Sequence, residues 1–259
     1  MAQIDIEHAK KEFDKYLRDF DLENPKILLK KVHTYGVIKA ADYICTREEL
    51  GAGNRDLALL IALLHDIGRF EQLRAYNSYD DDRFDHARFG VKLLFEQGKI
   101  RDFISCADYD EVIRQSIAYH SMYRLPEIQD PRILLHCKII RDADKLDNFR
   151  VKSVDSLEAH FDLPGEIIQK EGISENVLQA VRDHRCVRRE ERKTHLDMWV
   201  SYMAFIFDLN FSSSFRFIQE HDYINRCIDR MDYSEKNTKE SMEEVRRICL
   251  DYVQEYAER

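Results

Sequence analysis

Eight consecutive apolar residues, Leu57, Ala58, Leu59, Leu60, Ile61, Ala62, Leu63 and Leu64, run directly into His65 and Asp66. The run has neither the alternation of a half-buried strand nor the one-sided stripe of a surface helix. Leu and Ala are strong helix formers, so it predicts a helix buried on every side, with Gly68 as its stop. Around it the pattern is helical throughout. Residues 4–20 read as a charged outer helix. Pro25 opens another, with the stripe Leu29, Val32, Gly36, Val37, Ala40 and Ile44, and His33 falls on that stripe. Residues 51–54 form a turn, and the polar stretch 77–85 reads as a surface loop and candidate lid. His86 begins a further helix. Residues 109–122 form one with Tyr119-His120 in its last turn, and Asp130-Pro131 caps and starts the next, which carries Asp144 inward.

Beyond residue 150 the pattern stays helical and chemically quieter. Residues 196–209 form an apolar helix around Trp199, the single tryptophan. Asn237 with Glu240 reads as the cap of a last helix, whose stripe is Val245, Ile248, Cys249, Tyr252 and Val253. With four prolines, eight glycines and no Asn-Gly or Asp-Gly pair, nothing signals a hairpin. The expected fold is all-α. Residues 1–259 read as a single domain with a core at about 25–150 and a helical extension over 151–259. Leu163-Pro164-Gly165 is the best candidate for any break.

Composition narrows the function. The chain is 44% apolar and 34% charged, with a net charge of −9. That supports a substantial core and argues against general nucleic-acid binding. Six scattered cysteines without a Cys-x-x-Cys fit a reducing compartment and argue against a disulfide scaffold or a thiolate zinc site. No signal-peptide core and no run approaching the ~20 apolar residues of a membrane span occurs, so a cytoplasmic protein without membrane contact is expected. The basic stretch 182–193 carries Arg182, Arg185, Arg188, Arg189, Arg192 and Lys193 among acids, and reads as a solvated face. His221-Asp222 repeats the His-Asp pair in polar surroundings and reads as inert, as do Asp80 to Asp82.

His33, His65, Asp66 and Asp144 lie on inward faces of separate helices. Each alone reads as a paired core residue. Together they share a need that one metal meets, because buried polar groups require partners. Two imidazoles and two carboxylates without thiolate suit Mn, Fe, Co, Ni, Mg or Zn. His86 and His120 add two nitrogens, and Asp66 has a second oxygen with which to bridge two ions. His136, two turns before Asp144, fits a core or supporting place.

The order His33, His65-Asp66, His86, His120, Asp144 resembles the HD-domain superfamily of metal-dependent phosphohydrolases. So do the strings LLHDIGRFE (63–71), DHARFGV (85–91) and IRDADKLD (140–147), which are similar to an uncharacterised bacterial subgroup. The match covers residues 25–150, the remainder fitting only loosely. It implies an all-α helical bundle and metal ligands at His33, His65, Asp66 and Asp144, with His86 and His120 either completing a two-metal variant or, as in single-metal members, binding phosphate. The chain lacks the Gly-Tyr-Pro signature of the cyclic-dinucleotide branch. It also lacks the His-Asp-x-x-Glu-Asp string of the alarmone hydrolases, having Arg69 and Phe70 after Ile67-Gly68. The expected activity is hydrolysis of a nucleotide or related small phosphate ester with one or two divalent ions. Asp66 would be central to the chemistry, and Arg69 and Lys145 would carry phosphate charge. A di-iron oxygenase and a nucleotide-sensing module with little turnover are the alternatives.

Overall fold

The computed structural model describes residues 4–79, 84–161 and 163–259, with backbone only at 159 and 160. The described residues are helical without a strand, and the chain divides into two compact units, 1–144 and 145–259. None of the described helices is long and apolar enough to cross a membrane, and all six cysteines are free thiols.

The first unit is built on α3 (Ala52–Leu64), in which Leu57 to Leu64 are all buried, so no face of that half-helix reaches water. Against it packs α2 (Pro25–Arg47). Asn24 caps α2 by accepting from the Lys26 amide, and Pro25 takes the first turn, where its missing N–H costs nothing. The buried face of α2 runs Ile27, His33, Thr34, Val37, Ile38, Ala40, Ala41, Ile44 and Cys45. It is rotated slightly from the stripe expected, and Val32 lies outside it, 47% exposed. The outer helix α1 (Ile6–Tyr16) seats Ala9, Phe13 and Tyr16, and its Phe13 meets Phe70 edge-on.

Gly68 does not stop α3. The helix ends at Leu64, His65 and Asp66 form the break, and Gly68 lies inside α4 (Ile67–Tyr76). The next helix, α5 (His86–Val91), is capped by Asp85, which accepts from the Arg88 amide. The lid stretch predicted at 77–85 and the Asp80 to Asp82 loop fall largely on residues 80–83, outside the described ones. Two further helices are α6 (Ile100–Phe103) and α7 (Asp110–Tyr119). Asp130 accepts from the Arg132 and Ile133 amides at the start of α8 (Pro131–Val154). The division between the units falls within α8, after Asp144.

His136 on α8 is fully buried, and neither ring nitrogen has a hydrogen-bond partner among the described residues. Burial, with the Arg132 charge adding to it, pushes its pKa down to about 4. An unfolded chain protonates the same imidazole near the ordinary value of ~6.5. Between those values the unfolded state binds the extra proton. The contribution of His136 to stability is therefore whole above about pH 6.5 and is lost as the pH falls towards 4. Chemical denaturation at pH 7 and pH 4 is expected to show His136→Leu losing about 3 kcal/mol less on acidification than the wild type. Equal losses in the two proteins would refute this account.

The second unit contains α9 (Leu157–Phe161), α10 (Gly165–Ile168), α11 (Glu175–Arg182), α12 (His195–Met203), α13 (Ser212–Glu220), α14 (Tyr223–Ile228) and α15 (Lys236–Ala257). Its centre is α12, where Trp199 is fully buried and its indole N–H donates to the Cys227 carbonyl. This helix stops at Met203 and tightens into a different turn over 204–208, short of the 196–209 expected. Asp197, wholly buried, accepts from the Ser174 amide and hydroxyl and the Lys193 and Thr194 amides, which satisfies its charge locally. α15 begins at Lys236, so Asn237 is inside the helix rather than its cap. Its buried face is Met242, Val245, Cys249, Val253 and Ala257, packed on α11, α13 and α14. In the basic stretch, Arg182 pairs with Glu175 and Glu244, and Arg185 grips Glu191 with two nitrogens, as a solvated, ion-paired face would.

Candidate metal centre

The centre lies in the first unit, where α2, the α3–α4 break, α5, the end of α7 and α8 each deliver one or two side chains. Two of its histidines, His65 and His120, stand at helix ends, as the residues closing α3 and α7. Each turns its ring back on its own last turn, Nδ1 donating to the carbonyl three residues earlier: His65 to Ala62 at 2.8 Å and His120 to Ile117 at 2.7 Å. A carbonyl only accepts, so Nδ1 carries a proton, and the neutral form of each ring has its lone pair on Nε2. Asp66 follows His65 in the break, with α4 beginning beyond it.

Asp66 divides its two oxygens. Oδ2 faces His65 Nε2 at 3.6 Å and His33 Nε2 at 3.9 Å. Asp144 Oδ1 closes that group, 3.0 Å from His33 and 3.9 Å from His65. Oδ1 faces His86 Nε2 at 3.3 Å and His120 Nε2 at 3.6 Å, and those two nitrogens are 3.2 Å apart. The structure thus brings together all six residues the sequence singled out, in two sets that share one carboxylate. Five of them are almost entirely buried, and Asp144 is partly open.

The donors fit metal ions on three grounds. Buried His65 Nε2 has no hydrogen-bond partner among the described residues, a costly state for a polar atom. His86 Nε2 lies 3.1 Å from Arg69 Nη2, and a guanidinium can only donate, so His86 also presents a lone pair there. His86 Nε2, His120 Nε2 and Asp66 Oδ1 together make a donor set that suits a cation, a place the Arg69 guanidinium approaches in the ion-free structure. Finally, ligand atoms about 2.0–2.2 Å from one ion stand about 3.0–3.5 Å apart, close to the separations seen.

Electrostatics agree. Burial pushes His65 down to about 4, against the pull of Asp66 and Asp144, so its ring stays neutral. Burial alone would raise Asp66. Burial is the largest single influence, but Lys30, His65, His120 and His86 together reverse it and hold the carboxyl well below the usual range. Burial likewise opposes ionisation of Asp144, and the hydrogen bond from His33 leads the groups that reverse it.

Lys30 was not singled out by the sequence. It lies one turn before His33 on α2 and reads as one of many helix-surface lysines, yet its ammonium is 2.7 Å from Asp66 Oδ2. The spacing of three from His33 was the available signal. Arg69 is buried on α4 with Nε 4.0 Å from Asp66 Oδ1, and it also donates to Gln72 and to the Tyr79 carbonyl. Tyr79 in turn lies under the Lys30 ammonium, 5.8 Å from the ring centre. Lys145 belongs to the second unit, and its ammonium pairs with Asp208 at 2.9 Å.

Residues 32–149 match the family model of the HD domain, consistent with that superfamily. HD domains form an all-α superfamily made up mostly of metal-dependent phosphohydrolases. Neither a curated protein nor a solved structure gave a match.

Proposed function

We propose that this protein hydrolyses a phosphate ester, a nucleotide or a related small molecule, with two divalent ions held by the six residues above. The observation that carries the reading is the division of Asp66 between two imidazole sets, one oxygen each. His33, His65, Asp144 and Asp66 Oδ2 would hold one ion, and His86, His120 and Asp66 Oδ1 the other. When bound, such ions supply a hydroxide nucleophile at neutral pH and positive charge for a phosphoryl group.

The chain's own residues supply the rest. The Nδ1 bonds of His65 and His120 fix ring orientation before any ligand arrives. Arg69, held by Gln72 and the Tyr79 carbonyl, presents a planar fork suited to phosphoryl oxygens. Lys30 adds a second fixed cation on the other Asp66 oxygen. In this reading the two bracket the carboxylate and draw the substrate's negative charge towards it. Lys145 is proposed as a weaker contributor, because Asp208 already engages its charge.

The test is a phosphoester and nucleotide panel run under argon with Mg, Zn or Mn. Phosphate or nucleoside release without oxygen is expected, with kcat/KM falling about 10–100-fold in Arg69→Ala, the equivalent of one or two charge-assisted hydrogen bonds. Activity confined to iron and oxygen would replace the proposal with the oxygenase. Nucleotide binding without turnover would replace it with the sensing module.

A further inference from the structure

The end of α7 is gripped from another helix. Arg141, three residues before Asp144 on α8, is 2% exposed. Its Nη1 shares two N–H groups among the carbonyls of Tyr119, His120 and Met122 at 3.1, 3.2 and 2.5 Å, and Nη2 reaches the Tyr123 carbonyl at 3.5 Å. The last carbonyls of a helix have no partner within it and carry partial negative charge. A buried guanidinium answers both needs and, through several donors in one plane, fixes their direction as well. Among the carbonyls it holds is that of His120 itself. With His120 Nδ1 tied to Ile117, the ring has little freedom left: its backbone is fixed by Arg141 and its tilt by α7.

Resting on the two-ion reading above, we propose that Arg141 is a positioning residue for the His86–His120 half of the centre. It touches neither substrate nor ion. It sets where His120 Nε2 stands relative to Asp66 Oδ1. Because Arg141 and Asp144 lie one turn apart on the same helix, α8 contributes a ligand to one ion and the alignment of a ligand to the other. The spacing between the two halves is then a property of one rigid element rather than of the turn after α7.

The consequence is selective. Outer contacts that orient a histidine ligand are worth about 10–100-fold in metal affinity, and here the loss should fall on one ion only. Mn(II) titration of the full chain, followed by calorimetry and by the exchange-coupled signal of a Mn(II) pair in electron paramagnetic resonance, reads both ions. In Arg141→Gln the weaker step is expected to lose at least about tenfold in affinity, with the pair signal giving way to that of single ions, while the tighter step changes less than about threefold. Arg141→Lys should recover part of the loss. His120→Ala should show the same single-ion pattern, and adding Arg141→Gln to it should weaken nothing more.

Equal affinities in Arg141→Gln and wild type, a parallel loss at both steps, or additive losses in the double variant would each overturn the assignment. Should Arg141→Gln prove insoluble, Arg141→Lys takes the same measurement and must lose the second ion before the first. A wild-type chain without any ion that His120→Ala removes would overturn the two-ion reading together with this one. A wild-type pair signal that survives in the Arg141 variants overturns this inference alone.

Discussion

Asp66→Asn is expected to abolish the paired binding of metal and to lower hydrolysis by at least about 10³-fold, roughly 4 kcal/mol of transition-state stabilisation. Asparagine has nearly the same shape, so the change isolates charge and donor type. Its single oxygen can serve His33 and His65 or His86 and His120, but not both, and its amide N–H groups would face either bare imidazole nitrogens or the Lys30 ammonium. The second case sets donor against donor. Elemental analysis of protein purified without chelator should fall from about two ions per chain to one or none. A second readout separates site from fold. Saturating Mn or Zn raises the melting temperature of a protein that binds it only when folded, by the equivalent of about 2.7 kcal/mol at a hundredfold excess over Kd. That rise should vanish in Asp66→Asn while the metal-free melting temperatures stay within a few degrees. Full activity, or an undiminished metal-induced rise, would remove Asp66 from the centre.

Much of this was legible in the chain because the strongest signals were local. The unbroken run at 57–64 leaves a helix no exposed face, and Leu57 to Leu64 are indeed all buried. Asn24-Pro25 and Asp130-Pro131 start helices by the chemistry of the cap alone. His33, His65, Asp66, His86, His120 and Asp144 come together as the motif order suggests. What was missed depends on partners distant in sequence. Lys30 pairs with a carboxylate 36 residues away and Arg141 with carbonyls about 20 residues back, and a single lysine or arginine in a charged helix gives no hint of either. Spacing places Val32 inside, but the buried face of α2 is set by α3 and turns away from it. Asn237 looked like a cap because asparagine favours that position, yet α15 starts earlier.

Gly68→Ala is expected to be among the most damaging single changes in the first unit, for a reason that local reasoning reverses. Gly68 sits in the first turn of α4, and the positive-φ glycine among the described residues is Gly98 instead. By propensity alone, alanine in a helix is better than glycine by about 1 kcal/mol. Packing decides otherwise. A Cβ at Gly68 would stand 2.2 Å from the His86 carbonyl oxygen, 2.7 Å from the Gly90 amide nitrogen and 3.2 Å from the Gly90 Cα. All three are backbone atoms, so no side chain can swing clear, and α4 and α5 must separate by about 1 Å or more to restore ordinary contact. Gly68 is two residues from Asp66, and His86 carries both the struck carbonyl and the ring facing Asp66 Oδ1. The strain therefore falls on the shared carboxylate and one of its imidazoles. A loss of at least about 3 kcal/mol is expected, or a melting temperature lower by about 6–12 °C. The His86–His120 ion should be lost first and the His33–His65 ion retained longer. Gly53→Ala, where a Cβ meets nothing within 4 Å, is the control and should be neutral or mildly stabilising. A Gly68→Ala protein that melts within 2 °C of wild type and binds both ions equally well would show that the close approach of α4 and α5 does not hold the site together.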